Sequence, residues 1–217
     1  MSNLPASSVG YSSRWVDEVY ELEITGEIRQ TRLFGENLVL RRRISTHLGS
    51  KKIRIEDSVT NEAFAPHPHM ILYHFNIGFP LVSEDSRLHL EAEETIPRDK
   101  DAEAGLAHWR DLQPPTQAYR EQVFQHKLAT DDEGKARVEI ENPLLGVGLR
   151  LTYSGTDLPY LYQWKMMGEG MYVLGIEPAN CGVMTGRAAT RRRGELPHLR
   201  PGESRNYVLE AEVVEYR

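Results

Sequence analysis

One cysteine, Cys181, stands in 217 residues, which rules out an intramolecular disulfide and fits a reducing compartment. Long apolar runs are absent too: none approaches the roughly 20 residues a membrane helix needs. The opening stretch MSNLPASSVGYSSRW lacks a charged start followed by an apolar core, so it is not a secretory signal, and a cytoplasmic location is expected. Positive charge is in deficit, with 26 Lys and Arg against 32 Asp and Glu, a net charge of −6. No general attraction to nucleic acid or to an anionic membrane surface follows from that balance. The basic runs Arg41-Arg42-Arg43 and Arg191-Arg192-Arg193 read as solvated faces, with strand alternation placing Arg42 opposite its two neighbours. There is no Gly-rich phosphate loop followed by Lys-Ser or Lys-Thr, no paired Cys for zinc and no Gly-x-Ser-x-Gly elbow. Hydride, phosphoryl and acyl transfer therefore lose support.

What is there is alternation. After an irregular lead-in over residues 1–17, apolar positions recur at Leu22, Ile24, Ile28 and Leu33, with Gly26 as a turn candidate. Leu38, Leu40 and Ile44, then Ile53, Ile55 and Val59, flank a hairpin signal at Gly49-Ser50. Further strand candidates are residues 69–76, RLHLEAEE, EQVFQHKLA, KARVEIEN, GVGLRLTYS, YLYQWKMM, MYVLGIEP and SRNYVLEAEVVEY. About a dozen strands with turn signals at short intervals predict an all-β sandwich or barrel rather than a parallel α/β fold. Helical pattern is confined to DKDAEAGLAHWRDL and TGRAATRRRGEL, one or two short helices. With no repeat and no low-complexity linker, residues 1–217 read as a single domain.

Two stretches carry candidate chemistry. In HMILYHFNIGFPL, His74 sits inside an apolar run; by itself it fits a hydrogen-bonded core histidine as well as a proton donor. In MYVLGIEPANCG, Glu177 closes an apolar run, where burial would raise its pKa and make it a base near neutral pH. The alternative is a strand-end carboxylate, solvated or paired with Arg. Upstream, Tyr160, Tyr162 and Trp164 alternate on one face and Leu161, Gln163 and Lys165 on the other. Such an aromatic face suits the apolar side of a sugar ring, or a core. His67-Pro68-His69 resembles half of a cupin metal signature, but the nearby Glu ligand is missing, and no metal is expected.

Two motifs together resemble the aldose 1-epimerases of the galactose mutarotase-like superfamily. LYHFNIG at 72–78 is similar to that family's Asn-His-x-Tyr-Phe-Asn strand, and GIEPANC at 175–181 to the strand ending in its catalytic glutamate. LVLRRRISTHLGSKKIRIEDSVTNE is similar to the strand pair preceding the histidine. PHMILYHFNIGFPL, QWKMMGEGMYVLGIEPANC and GELPHLRPGES resemble hallmarks of a bacterial epimerase-like subfamily of unknown function. The resemblance implies a β-supersandwich of antiparallel strands with a sugar cleft. It implies a cofactor-free, general acid/base ring opening of an aldose, with Glu177 as base and His74 as acid. Asn76, Gln163, Trp164, Lys165 and Asn180 become candidates for sugar contacts, although alternation forbids that all face one cleft. Tyr73 stands where classical members have Asn. Their Leu-His-Gly histidine lies upstream of the matched region, so the chain resembles the C-terminal two-thirds of a longer protein. Self-association through uncovered apolar faces, or incomplete activity, is the expectation. The competing readings are a carbohydrate-binding module without turnover and a structural β protein without a ligand.

Overall fold

The computed structural model describes residues 4–182, 184 and 186–216. In chain order the strands are β1 (Ser7–Val16), β2 (Val19–Thr31), β3 (Asn37–His47), β4 (Lys52–Asn61), β5 (His67–Pro68), β6 (Phe75–Gly78), β7 (Arg87–His89) and β8 (Ala92–Pro97). Helix α1 (Lys100–Ala104) and a 3-10 turn (Leu106–His108) follow. Then come β9 (Gln122–Leu128), β10 (Lys135–Asn142), β11 (Val147–Ser154), β12 (Tyr160–Gly168), β13 (Met171–Ala179), α2 (Gly186–Arg192), β14 (His198–Leu199) and β15 (Ser204–Glu215). The chain divides into two compact units, Met1–His69 with Leu196–Glu212 and Met70–Glu195 with Val213–Arg217.

In the first unit β1, β2, β3, β4 and β15 pair in that order, all antiparallel. Two expectations are corrected here. The lead-in is a strand, β1, whose serines hide the alternation. As the outer partner of β2 it needs no buried face, so its pairing is set by backbone hydrogen bonds rather than by an apolar pattern. Gly26 is no turn: β2 runs through it, and it sits opposite Arg42 of β3. The registers put Tyr11, Ile24, Ile44, Ile55 and Leu209 in one row on one face. Of these Tyr11 and Ile24 are exposed, as is Ile53 on the same face. The opposite face is a lattice of ion pairs, with Arg43 between Glu23 and Glu56 and Arg54 between Glu56 and Glu210. Arg42 points the other way and grips buried Asp57 with two hydrogen bonds, 2.8 and 2.6 Å. The first basic run is thus met by carboxylates on both faces.

The second unit holds two antiparallel arrays. In one, β10 lies between β11 and β7. In the other the order is β6-β13-β12-β9-β8, and this array carries the candidate site. Gly168, Glu169 and Gly170 join β12 to β13 in a tight turn. Asp99 caps α1 by accepting from the Ala102 N–H at 3.0 Å, where a helix was expected after Pro97. Residues 69–76 are not one strand. Leu72 makes a single bridge to Ala179, and regular pairing begins at Phe75. Pro178 explains the irregularity: it accepts from the Tyr73 N–H at 2.9 Å but has no N–H to return.

Candidate functional site

Register builds the site. Asn76, Gly175, Trp164 and Val123 form one row across β6, β13, β12 and β9. In the next row Glu177 faces Tyr162, which faces Gln125. His74, just before β6, continues that row, since Phe75 opposes Ile176 and Leu72 opposes Ala179. Its Nε2 lies 2.9 Å from Glu177 Oε1. The Asn76 side chain also hydrogen-bonds the His74 ring. Two candidates 103 positions apart therefore meet because antiparallel pairing places them directly across from each other.

Gly175 makes the approach feasible. A Cβ there would lie 2.6 Å from Glu177 Oε1, 3.0 Å from Trp164 Cβ and 3.2 Å from His74 Cε1. The pair opens into a cleft of about 300 Å³, lined also by Leu72, Arg98, Val123, Tyr162, Trp164 and Met184. Val123, Tyr162 and Ala179 form an apolar cluster, with Leu72, Tyr160, Trp164 and Met184 packed on it. The Trp164 indole meets His74 edge-on, with centroids 5.8 Å apart at 73°. Its Nε1–H donates to Glu121 at 2.9 Å, and Glu121 accepts from Arg98 at 2.8 Å.

Electrostatics set the pair apart. Burial, with a further push from the Glu121 carboxylate, raises Glu177 to about 7. Burial lowers His74 below its usual value, and the Asn76 hydrogen bond pulls the other way. Burial disfavours the charged form of both contacting groups, so between its two titration steps the pair holds one proton, and the macroscopic steps belong to both. Such a pair can take a proton from one oxygen and give one to another on the same carbon.

The remaining sugar-contact candidates fall elsewhere. Gln163 and Lys165 are buried on the opposite face of β12. Gln163 Oε1 accepts from His126 Nε2 at 3.0 Å, and its amide nitrogen donates to the Trp109 carbonyl at 2.8 Å. The Lys165 ammonium donates to the His108 carbonyl at 2.9 Å. Neither reaches the cleft, because the strand period of two sends them away from Trp164. Asn180 lies outside the cleft lining as well: its Oδ1 accepts from the Ile71 N–H at 2.9 Å, steadying the segment that delivers His74. The His67-Pro68-His69 motif supplies no metal cluster. His67 and Pro68 pair with β14, and buried His69 Nε2 contacts the Tyr207 hydroxyl at 2.8 Å. Among the described residues no group of three His, Cys, Asp or Glu could hold a metal ion. No helix among them is long and apolar enough to cross a membrane. Sequence reasoning missed Arg98 and Glu121, which lie just past strand ends where no periodicity marks them.

The family model described as "Domain of unknown function (DUF4432)" matches residues 1–213. The chain belongs to the DUF4432 family. No curated protein matches this DUF4432 chain. Among solved structures, it is similar to a Klebsiella pneumoniae protein described as a "putative aldose 1-epimerase", with a TM-score of 0.93 and 26% identity. That match covers 99% of this chain and 56% of the Klebsiella chain, so the present chain spans little more than half the length of that relative. A galactose mutarotase-like protein from Clostridium acetobutylicum matches with a TM-score of 0.64 and 18% identity over 96% of this chain and 67% of its own. One from Lactobacillus casei gives 0.59 and 14% over 94% and 73%. The fold is the galactose mutarotase-like β-sandwich, as the motifs implied.

Proposed function

We propose that this DUF4432 chain is an aldose 1-epimerase-like isomerase that interconverts the anomers of a sugar by general acid/base ring opening. The observation that carries the reading is the 2.9 Å contact between His74 and Glu177 in an aromatic-floored cleft. In a cyclic aldose the anomeric hydroxyl and the ring oxygen share one carbon, C1. An acid and a base side by side therefore reach both. Within the singly protonated pair the proton exchanges across the 2.9 Å contact; the tautomer with Glu177 as carboxylate and His74 protonated takes the hydroxyl proton at Glu177 and delivers one from His74 to the ring oxygen. The C1–O5 bond breaks, the new carbonyl rotates, and the reverse transfers close the ring on either face. Each positioned group contributes about 10²–10⁴-fold. Trp164, packed over buried Tyr162, offers the ring's apolar face a platform. Asn76 supports the protonated state of His74. The single buried Cys181 supports a cytoplasmic setting, and we take residues 1–217 as belonging to one domain of this fold.

The reactive state holds one proton on the pair. Above about 7 that proton leaves and the acid is lost; below the lower step, depressed from the usual histidine value, the base is lost. The rate is expected to be bell-shaped in pH, with its falling alkaline limb near 7. NMR of freshly dissolved pure anomers of an aldose panel tests the reading, comparing the wild-type chain with Glu177→Gln. Accelerated exchange of one sugar, lost in the variant, supports the isomerase. Exchange that survives Glu177→Gln removes the assignment. A second reading is sugar binding without turnover, supported by the aromatic lining of the cleft, which can hold a sugar whether or not the pair reacts. Saturable sugar binding with no exchange would select it.

A further inference from the structure

We propose that Glu121 is a positioning residue of this site, a carboxylate that fixes the indole of Trp164 and the guanidinium of Arg98 as two walls of the cleft. The inference rests on the isomerase reading only for its sugar-binding arm. Glu121 does not itself line the cleft, and its two oxygens are divided between two residues that do. Oε2 accepts from Trp164 Nε1 at 2.9 Å and Oε1 from Arg98 Nη2 at 2.8 Å. Arg98 is held from its other side by Asp99, which accepts from Nε at 2.7 Å. An indole that is only half-buried has one polar atom, and without a partner for that N–H its ring is free to rock. Here the ring is pinned at one end by Glu121 and lies edge-on to His74 at the other.

The same carboxylate acts on the reacting pair through space. Its hydrogen bonds from Arg98 and Trp164 keep Glu121 below the usual carboxylate range, so it stays ionised at neutral pH. A fixed negative charge near Glu177 favours the protonated form of that group, in the direction already noted. Among the described residues that line the cleft, the charged groups beside Glu177 are His74 and Arg98, and Glu121 acts on it through space. Of these, only Glu121 both orients the walls and biases the proton.

The test is Glu121→Gln, which keeps size and shape but presents an amide N–H to one of the two donors it must receive. Two readouts need no sugar. In the wild-type chain the His74 ring resonances carry the ring-current shift of a fixed Trp164, and they should move in the variant as the indole loosens. The upper titration step of the His74–Glu177 pair, followed on those resonances, should fall below about 7. A third readout is sugar affinity in a Glu177→Gln background, expected to weaken about three- to tenfold, the scale of one exposed charge-assisted hydrogen bond. A purely structural role would lower thermal stability and leave the titration step in place. Unchanged His74 resonances and an unchanged step overturn the proposal. Failure of every aldose to bind, with the two sugar-free readouts moving as stated, would sink the isomerase reading and leave the positioning role standing.

Discussion

The two faces of the β6-β13-β12-β9-β8 sheet each carry a histidine among polar and aromatic neighbours, yet they are built for different ends. On one face His126 is fully buried, with Nδ1 2.9 Å from the Thr95 hydroxyl and Nε2 3.0 Å from Gln163. Burial holds it down to about 4, so it is neutral at any physiological pH. The ring of Trp109 lies 4.5 Å from it. On the other face His74 is 42% exposed at its side chain and contacts a carboxylate that itself titrates near neutrality. The residue types are similar; what differs is access to solvent and the kind of partner. Thr95 and Gln163 are neutral and fix a tautomer, whereas Glu177 can exchange a proton. The comparison teaches that a histidine inside an apolar strand is diagnosed by whether its partner can ionise, more than by burial.

The largest expected break in this contrast is Glu177→Gln. It should cost about 10²–10⁴-fold in anomer exchange while stabilising the fold at alkaline pH. The sign follows from the raised folded-state value. A carboxyl at about 7 in the folded state and 4.5 otherwise contributes stability below 4.5, and that contribution is lost as pH rises through 7. At pH 8 the variant should therefore gain on the order of 1–3 kcal/mol relative to wild type, and at pH 5 much less. Equal stability differences at both pH values, measured by urea unfolding, would contradict the buried-acid description. Gly175→Ala should come next. Its Cβ must displace Glu177 Oε1 from 2.6 Å, and the nearby Trp164 Cβ, anchored to its own backbone, cannot swing aside. Misplacing the pair by a fraction of an ångström to an ångström is expected to cost up to about 10²-fold in exchange. Activity at the wild-type level would mean that the pair tolerates far more movement than its geometry suggests.

How much of this was legible in the sequence varies by residue. The face assignment on β12 followed from alternation alone: Tyr162 and Trp164 on one side, Gln163 and Lys165 on the other. The pairing of His74 with Glu177 did not. It needed the family resemblance, because nothing in the local pattern of either stretch says that 103 residues of chain fold back into register. Glu121 and Arg98 were invisible, since their roles consist of side-chain bonds spanning 23 and 43 positions and leave no periodic trace. β1 was missed for a different reason: an outer strand needs no buried stripe, so its serines read as loop. Among fold-level features, hairpins with Gly-containing turns and short helices near Pro or Gly were the most readable, because their signals are local.

The smallest effects sharpen the comparison from its buried side. Gln163→Leu removes both the partner of His126 Nε2 and the donor to the Trp109 carbonyl, leaving two polar atoms unsatisfied in the interior. The expected loss is about 1–3 kcal/mol of stability, with sugar exchange per folded molecule unchanged. Lys165→Met should do less still. Lys165 is 2% exposed, and burial pulls its pKa below the usual lysine range. Its hydrogen bond to the His108 carbonyl offsets only part of the cost of burying a charge, whereas Met fills a similar volume without that cost. Thermal denaturation should show the variant within about 1 kcal/mol of wild type or slightly more stable, and anomer exchange should be indistinguishable. A large drop in exchange for Lys165→Met, with the fold intact, would mean that the two faces are not separable. The chemistry would then have to be sought on the face that carries His126.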